Sequence, residues 1–516
     1  LKEMQEYDFA RKNYLDFISK YPSSGLVDDA FVGIAECHYG KNDFGQAEEW
    51  LKNMLKKYPQ SIHRAYANYL LARISVLVDD FDKARSGFDS VVKQFPSSLY
   101  AALARLQREI TYYRQKRYDV AAERLVKLIN VRGMGDYHDE IYYYVGLSKF
   151  KSGDYKGSVE SFQKLLEHQK HSKLKPEAAL RIGDVHFKSG NFDAAIAAYK
   201  YMLNEFKDSE LAPFGLYGWS ESLRQLGREG EAVSVIEMLV ERYPKSAVAE
   251  DCNQKIARYY IEKSEYDRAV VFLRKIITDF PLSRQAPMAL TQIGDIETMR
   301  GNYGTAENIY RQVMKEYTRP EHSSMAHFKI ANNLYRLGRN QNAVKESLSV
   351  VNMYPKEGAA SYALELIFNI YTEQQDAAKA ESAGEKLLKS FPRTAPTARV
   401  FLAYGRKFFE AGKYDAAASK FSKSVEAMQG DISAEAQKML GDTYFAKGDF
   451  HQATVEYLRT VYLFPESHQW SAESQYMAGI SSEKENQMQF NQPRREDGWQ
   501  NEKSNRTGCI QSISTA

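Results

Sequence analysis

The side chains most able to do chemistry are few and badly placed for it. His168 and His171 stand three apart, a spacing that could offer two imidazoles to one zinc ion, but no third ligand follows them. His322 and His327 stand five apart with the same deficiency, and both pairs read as solvated loop histidines. Cys37, Cys252 and Cys509 are too few and too scattered for a disulfide framework or a four-ligand zinc site. Cys37 and Cys252 fall in helical segments and read as buried structural thiols, since cysteine is among the most buried residue types. The chain has no G-x-x-x-x-G-K-[ST] phosphate loop, no G-x-G-x-x-G turn between a strand and a helix, and no H-E-x-x-H. Asn505-Arg506-Thr507 fits a glycosylation acceptor but lies in a polar terminal stretch. The expectation is a protein without catalytic residues, metal or cofactor.

Recognition is the alternative to catalysis. The chain of 516 residues carries 70 Lys and Arg against 67 Asp and Glu, a net +3 that gives no electrostatic reason to bind nucleic acid. Apolar residues make up 43%, enough for a sizeable core. No apolar run is long enough for a membrane-spanning helix.

What positions the side chains is a repeat. An aromatic residue, two variable residues and a small one recur as FGQA at Phe44, FDKA at Phe81, YDVA at Tyr118, FDAA at Phe192, YDRA at Tyr266 and YDAA at Tyr414. The small residues lie at Ala10, Ala47, Ala84, Ala121, Ser158, Ala195, Ala232, Ala269, Ala306, Ala343, Ala380, Ala417 and Ala453. Eleven gaps equal 37 and the last equals 36. Twelve residues before this anchor stands another small residue, such as Ala35, Gly146, Gly183 or Gly441, with Glu109 and Phe368 as exceptions. Five before it stands a glycine (Gly153, Gly190, Gly227) or a polar residue (Asn42, Asp79), and twelve after it commonly a proline (Pro22, Pro59, Pro96, Pro244).

This pattern predicts two helices per repeat. Glycine or Asn supports the left-handed cap that stops the first. The next residue, as in Gly153-Asp154 or Gly190-Asn191, caps the second. Proline ends the second. The small residues are the points where helices approach closely, so larger ones would overpack.

In these four features the chain resembles the tetratricopeptide repeats, whose usual period is 34 residues. Here three residues are added after the proline, and a Tyr/Phe-Pro-x-Ser join recurs at Tyr21, Tyr58, Phe95, Tyr243 and Phe280. That variant resembles the repeat proteins of bacterial cell envelopes, such as an outer-membrane assembly lipoprotein and a periplasmic protein associated with Tol–Pal. The resemblance spans residues 1–487 and implies an all-α, right-handed superhelical solenoid of about thirteen helix-turn-helix repeats. Residues 488–516 are polar and aperiodic, and are expected to be disordered or foreign to the array. Leu1 falls within the first helix of its repeat, so a continuation upstream or a frayed first helix is expected. Trp470–Glu485 reads as one further first helix. Glu229, Asn340 and Ala377 replace the aromatic before Ala232, Ala343 and Ala380, so those joints are expected to pack less tightly.

The resemblance also implies where a partner binds. The concave wall of such an array is lined by positions 18, 15, 11, 8 and 7 residues before each anchor. Here they hold aromatic and charged residues of both signs, a mixture suited to protein recognition. The partner-binding candidates are Tyr66, Tyr69, Arg73, Tyr143, Phe214, Tyr217, Glu221, Arg258, Phe328, Tyr335, Arg336, Tyr362 and Arg406. Tyr66, Phe214 and Tyr362, at the 18-before position, are the strongest, because aromatics at two of the other positions also serve the scaffold. The Lys–Asn carboxylate clamp of the chaperone-tail repeats is not matched: Phe328 with Asn332 and Glu365 with Asn369 lack the lysine. The expected function is a non-catalytic scaffold for a protein partner in a cell-envelope complex, in the periplasm or at the outer membrane. A glycan-binding guide for polysaccharide export and a cytoplasmic adaptor are the alternatives.

Overall fold

The computed structural model describes residues 2–168 and 172–491. The described residues form 26 α-helices and one short 3-10 turn at Gly135–Tyr137, with no strand among them. They divide into two compact units on either side of the join between Asp279 and Phe280, a boundary that falls between two repeats.

Each repeat is a helix pair, here called A and B. After the first repeat, every B helix begins three residues before its anchor, from Phe44–Lys57 and Phe81–Gln94 to Tyr414–Ala427 and Phe450–Leu463. The A helix before it stops because the residue five before the anchor turns left-handed. All twelve such positions have positive φ. Seven are glycines, from Gly153 to Gly448, which adopt this conformation without a Cβ penalty. The other five are Asn42, Asp79, Lys116, Ser264 and Gln375, with φ between 59° and 62°. The following residue caps helix B where it is aspartate: Asp43, Asp80, Asp154, Asp376 and Asp449 each accept from the backbone N–H three residues on. The asparagines do not. The Asn191 amide donates to Ser189 Oγ and that of Asn302 to a Glu297 carboxylate oxygen, so neither presents its oxygen to the helix.

The core lies between A and B, and there residue sizes alternate across the joint. The residue four after the anchor on B meets the residue twelve before it on A. Where A carries glycine, B carries a ring: Gly146 with Phe162, Gly183 with Tyr199, Gly294 with Tyr310, Gly405 with Phe421, Gly441 with Tyr457. A Cβ on any of these glycines would collide with the ring. The Phe368 exception reverses the pair, for its ring lies beside Gly384. The Glu109 exception is fully buried and held between Arg108 and Arg124. Three of the five rings are tyrosines. Each donates its hydroxyl to the aspartate that follows the facing glycine, as Tyr199 to Asp184 (2.9 Å), Tyr310 to Asp295 (2.8 Å) and Tyr457 to Asp442 (2.7 Å).

Several expectations need correction or extension. Residues 2–20 are one helix, Lys2–Lys20, rather than the end of an A helix followed by B, for Gln5, at the stop position, stays helical where Gln375 at the same position turns left-handed. His327 is no loop residue. It is buried in Pro320–Arg336, where its Nε2 meets a Glu346 carboxylate oxygen at 2.7 Å, and His322 lies on the same helix. His168 ends the helix Tyr155–His168, and His171 lies outside the described residues. The last A helix is His468–Asn491, longer than read from the sequence, and residues 492–516 of the tail lie outside the described residues. A cavity of about 370 Å³ opens beside Glu229 at the Ala232 joint, and one of the same size lies beside Tyr303, where the aromatic is kept, so the cavity does not set the Ala232 joint apart.

Candidate functional site

The A helices carry the candidate residues, and within each unit side chains of consecutive A helices meet. Their facing side chains form a ladder from repeat to repeat. Tyr66 donates to Glu36 (2.5 Å) and Tyr143 to Glu177 (3.2 Å). Lys255 donates to Glu221 (2.9 Å) and to the Tyr217 hydroxyl (2.6 Å), Lys329 to Asp295 (2.7 Å), and Arg399 to Glu365 through two nitrogens (2.5 and 2.7 Å). Tyr335 donates to Glu373, and Arg406 pairs with Glu435. These bonds use hydroxyls and charges that a partner would otherwise meet. Burial and the Glu177 carboxylate push the Tyr143 hydroxyl up to about 12, so it remains a donor at neutral pH. Burial also disfavours the charged form of Glu221, but Lys255 and Arg224 outweigh it and hold this carboxyl below its ordinary value.

The sequence-predicted residues therefore separate by environment. Tyr69 lies in the core against Phe88 and Tyr100. Tyr66 and Tyr362 are half-buried, with rings on Tyr100 (5.0 Å) and Phe328 (5.7 Å). Arg73 lies over the Tyr39 ring. Arg258 and Arg336 are exposed and make no ion pair among the described residues. Phe214 is 40% exposed. The aromatic eight before the anchor belongs to the scaffold. It packs on the first residue of helix B in Tyr39–Phe44, Tyr113–Tyr118, Phe150–Tyr155, Phe187–Phe192, Phe409–Tyr414 and Phe445–Phe450, at 5.2–6.0 Å between centroids.

The structure brings Phe214, Tyr217 and Glu221 together on one cavity of about 560 Å³ in the first unit. Glu177, Leu180, Arg181, Asp184, Phe187, Tyr199 and Gly218 complete most of its wall. Arg181 reaches Glu177 (2.7 Å) and Asp184 (3.0 Å), so one guanidinium serves two carboxylates. Burial raises the Asp184 carboxyl above its ordinary value, against the Tyr199 and Arg181 bonds. Sequence reasoning passed over Arg181 and Lys255. The signal that finds Lys255 is a carboxylate and a cation 34 residues apart on consecutive A helices, as also in Asp295–Lys329 and Glu365–Arg399. Cys37 and Cys252 are buried, and burial pushes the Cys252 thiol up to about 12. Among the described residues no three His, Cys, Asp or Glu side chains group as metal ligands, and no helix is long and apolar enough to cross a membrane.

Comparison with known proteins agrees with this architecture. Two family models, each described as tetratricopeptide repeat, match residues 146–215 and 402–468, and residues 215–246 and 251–283. No curated protein matches the sequence. Among solved structures the chain is similar to yeast Tom70, at 12% identity over 91% of this chain and 97% of that one, with a TM-score of 0.39. It is also similar to pilF of Pseudomonas aeruginosa, at 18% identity over 46% of this chain and 97% of that one, with a TM-score of 0.33. The C-terminal part of a repeat-containing protein from Cytophaga hutchinsonii matches at 17% identity over 49% of this chain and 96% of that one, with a TM-score of 0.36. The chain carries tetratricopeptide repeats in an α-helical solenoid.

Proposed function

We propose that this tetratricopeptide-repeat array is a non-catalytic scaffold that holds a protein partner along its A-helix wall. The observation that carries the reading is the cavity under the exposed Phe214 ring, bounded by rings and unequal charges. Exposed aromatic anchors beside polar groups are the composition of interaction hot spots. Elsewhere many of the wall's polar groups, though not Arg258 and Arg336, are tied to one another, which lowers the ordering cost of binding. The 37-residue period and its Tyr/Phe-Pro-x-Ser joins support a place in a bacterial cell-envelope complex, in the periplasm or at the outer membrane.

The test places a photo-crosslinking phenylalanine analogue at Phe214, or at Tyr201, an exposed residue on the B helix Phe192–Glu205. Illumination in cells of the source organism is followed by fractionation and mass spectrometry. Discrete protein adducts in the envelope fraction from position 214, and few from 201, are expected. Equal labelling from both positions would remove the A-helix wall as the binding face. Adducts confined to cytoplasmic proteins would overturn the envelope assignment, and glycan adducts would overturn the protein partner.

A further inference from the structure

The 34-residue ladder has a gap at the Phe214 cavity. Of the acidic residues eleven before the anchor, Glu221 and Asp295 each take a lysine from the next A helix, Lys255 and Lys329, whereas Glu36 takes the Tyr66 hydroxyl and Asp442 takes Lys438 of its own helix. Asp184 stands at the same position, but the residue 34 further on is Gly218. A side chain cannot occur there, since a Cβ on Gly218 would collide with the Tyr199 ring. Gly218 and Asp184, at the sequence positions that hold the lysine and its carboxylate in the other two repeats, both line the open cavity. Local charge agrees. Glu177 and Asp184 share the single guanidinium of Arg181, while Glu221 on the far wall is matched by Lys255 and Arg224. Lys255 also reaches Asp251 (3.5 Å), so four carboxylates share three cations beside an exposed phenyl ring.

Resting on the scaffold reading above, we propose that this cavity takes a lysine or arginine side chain from the partner, next to a bulky apolar residue that packs on Phe214. The partner's cation supplies what Gly218 withholds and completes two carboxylate–cation pairs. Its aliphatic stem runs over Leu180 and Phe214, the way long basic side chains cover apolar surface while keeping the charge at a polar end.

Phage-displayed random dodecapeptides panned on the full chain at physiological salt test this. Enriched peptides are then measured by fluorescence anisotropy against the wild type and against Phe214→Ala, Glu177→Gln and Asp184→Asn. Circular dichroism melts show which variants are folded, and Glu177→Gln, on the partly exposed side, carries the test if Asp184→Asn is not. Enriched peptides are expected to share a Lys or Arg within two positions of a bulky apolar residue. Changing that basic residue to Gln should weaken binding at least tenfold on the wild type and less than threefold on the carboxylate variants. Phe214→Ala should weaken it about tenfold. Peptides without a basic residue, an equal loss on wild type and carboxylate variants, or no enrichment would overturn the inference. Protein adducts at position 214 alongside any of these failures would leave the scaffold reading standing, and their absence would remove both.

Discussion

At the scale of single residues, conformation and ionisation give the sharpest expectations. Lys116 and Gln375 sit left-handed at positions where seven repeats use glycine. A side chain in that region costs about 1–2 kcal/mol, whereas glycine loses roughly 0.5–1 kcal/mol of chain entropy. Lys116→Gly and Gln375→Gly are therefore expected to stabilise by about 0.5–1 kcal/mol each, read as a higher urea midpoint. An unchanged or lower midpoint would show that the lysine or glutamine side chain makes up the difference. Burial raises both Cys37 and Cys252, so their thiolates are scarce at pH 8. In a Cys509→Ser background, neither should react with a disulfide reagent at pH 8 until the protein is unfolded in guanidinium. Fast labelling of the folded protein would contradict their burial. The sequence made the glycine stops and the aspartate caps legible, because each motif needs a defined residue at a defined place. It could not show that Asn191 and Asn302 spend their amides on neighbours, because that depends on which side chain is nearest in space.

Helix pairs are the scale at which the sequence spoke most clearly, since a 37-residue period fixes every B helix to its first residue. The merged helix Lys2–Lys20 departs from the pattern at Gln5, although Gln375 at the same position makes the left-handed stop, so residue type alone does not set it. Read one column at a time, the small-residue rule hid its partner. Every glycine twelve before the anchor faces a ring four after it, although one ring, Phe88, is paired with Ala72, and only their contact shows why. Gly146→Ala should cost about 1–3 kcal/mol by overpacking against Phe162. Phe162→Leu alone leaves a void, yet combined with Gly146→Ala it recreates the Ala–Leu pair of Ala35 with Leu51 and Ala257 with Leu273. The double variant should be more stable than the sum of the single changes predicts, by at least about 0.5 kcal/mol. Strict additivity in thermal or urea unfolding would mean the two side chains do not share one space.

Within each unit, tertiary contacts among the described residues join neighbouring and next-neighbouring helices. Stability in such arrays is a sum of repeat and interface contributions, so damage should stay local. Ala195, fully buried where three helices meet, is the place to test this. Ala195→Trp should lower hydrogen-exchange protection in the helices around residue 195 and leave residues 280–516 unchanged. Loss throughout the chain would show one cooperative unit instead. The site was less legible than the fold at this scale. Aromatic rings at wall positions are written plainly in the sequence, but whether each ring seals a joint, as Phe187 does, or stands open, as Phe214 does, depends on the residue facing it.

The twelve left-handed stops have a consequence for how the protein comes into being. Each closes a helix on contacts made within the preceding few dozen residues, so nothing downstream is needed before a repeat can settle on the one before it. Synthesis at roughly 5–20 residues per second delivers one 37-residue repeat every few seconds, against helix formation in microseconds. The nascent chain can therefore assemble in the order in which it is translated, exposing at any moment little more than the unfinished face of its newest helix.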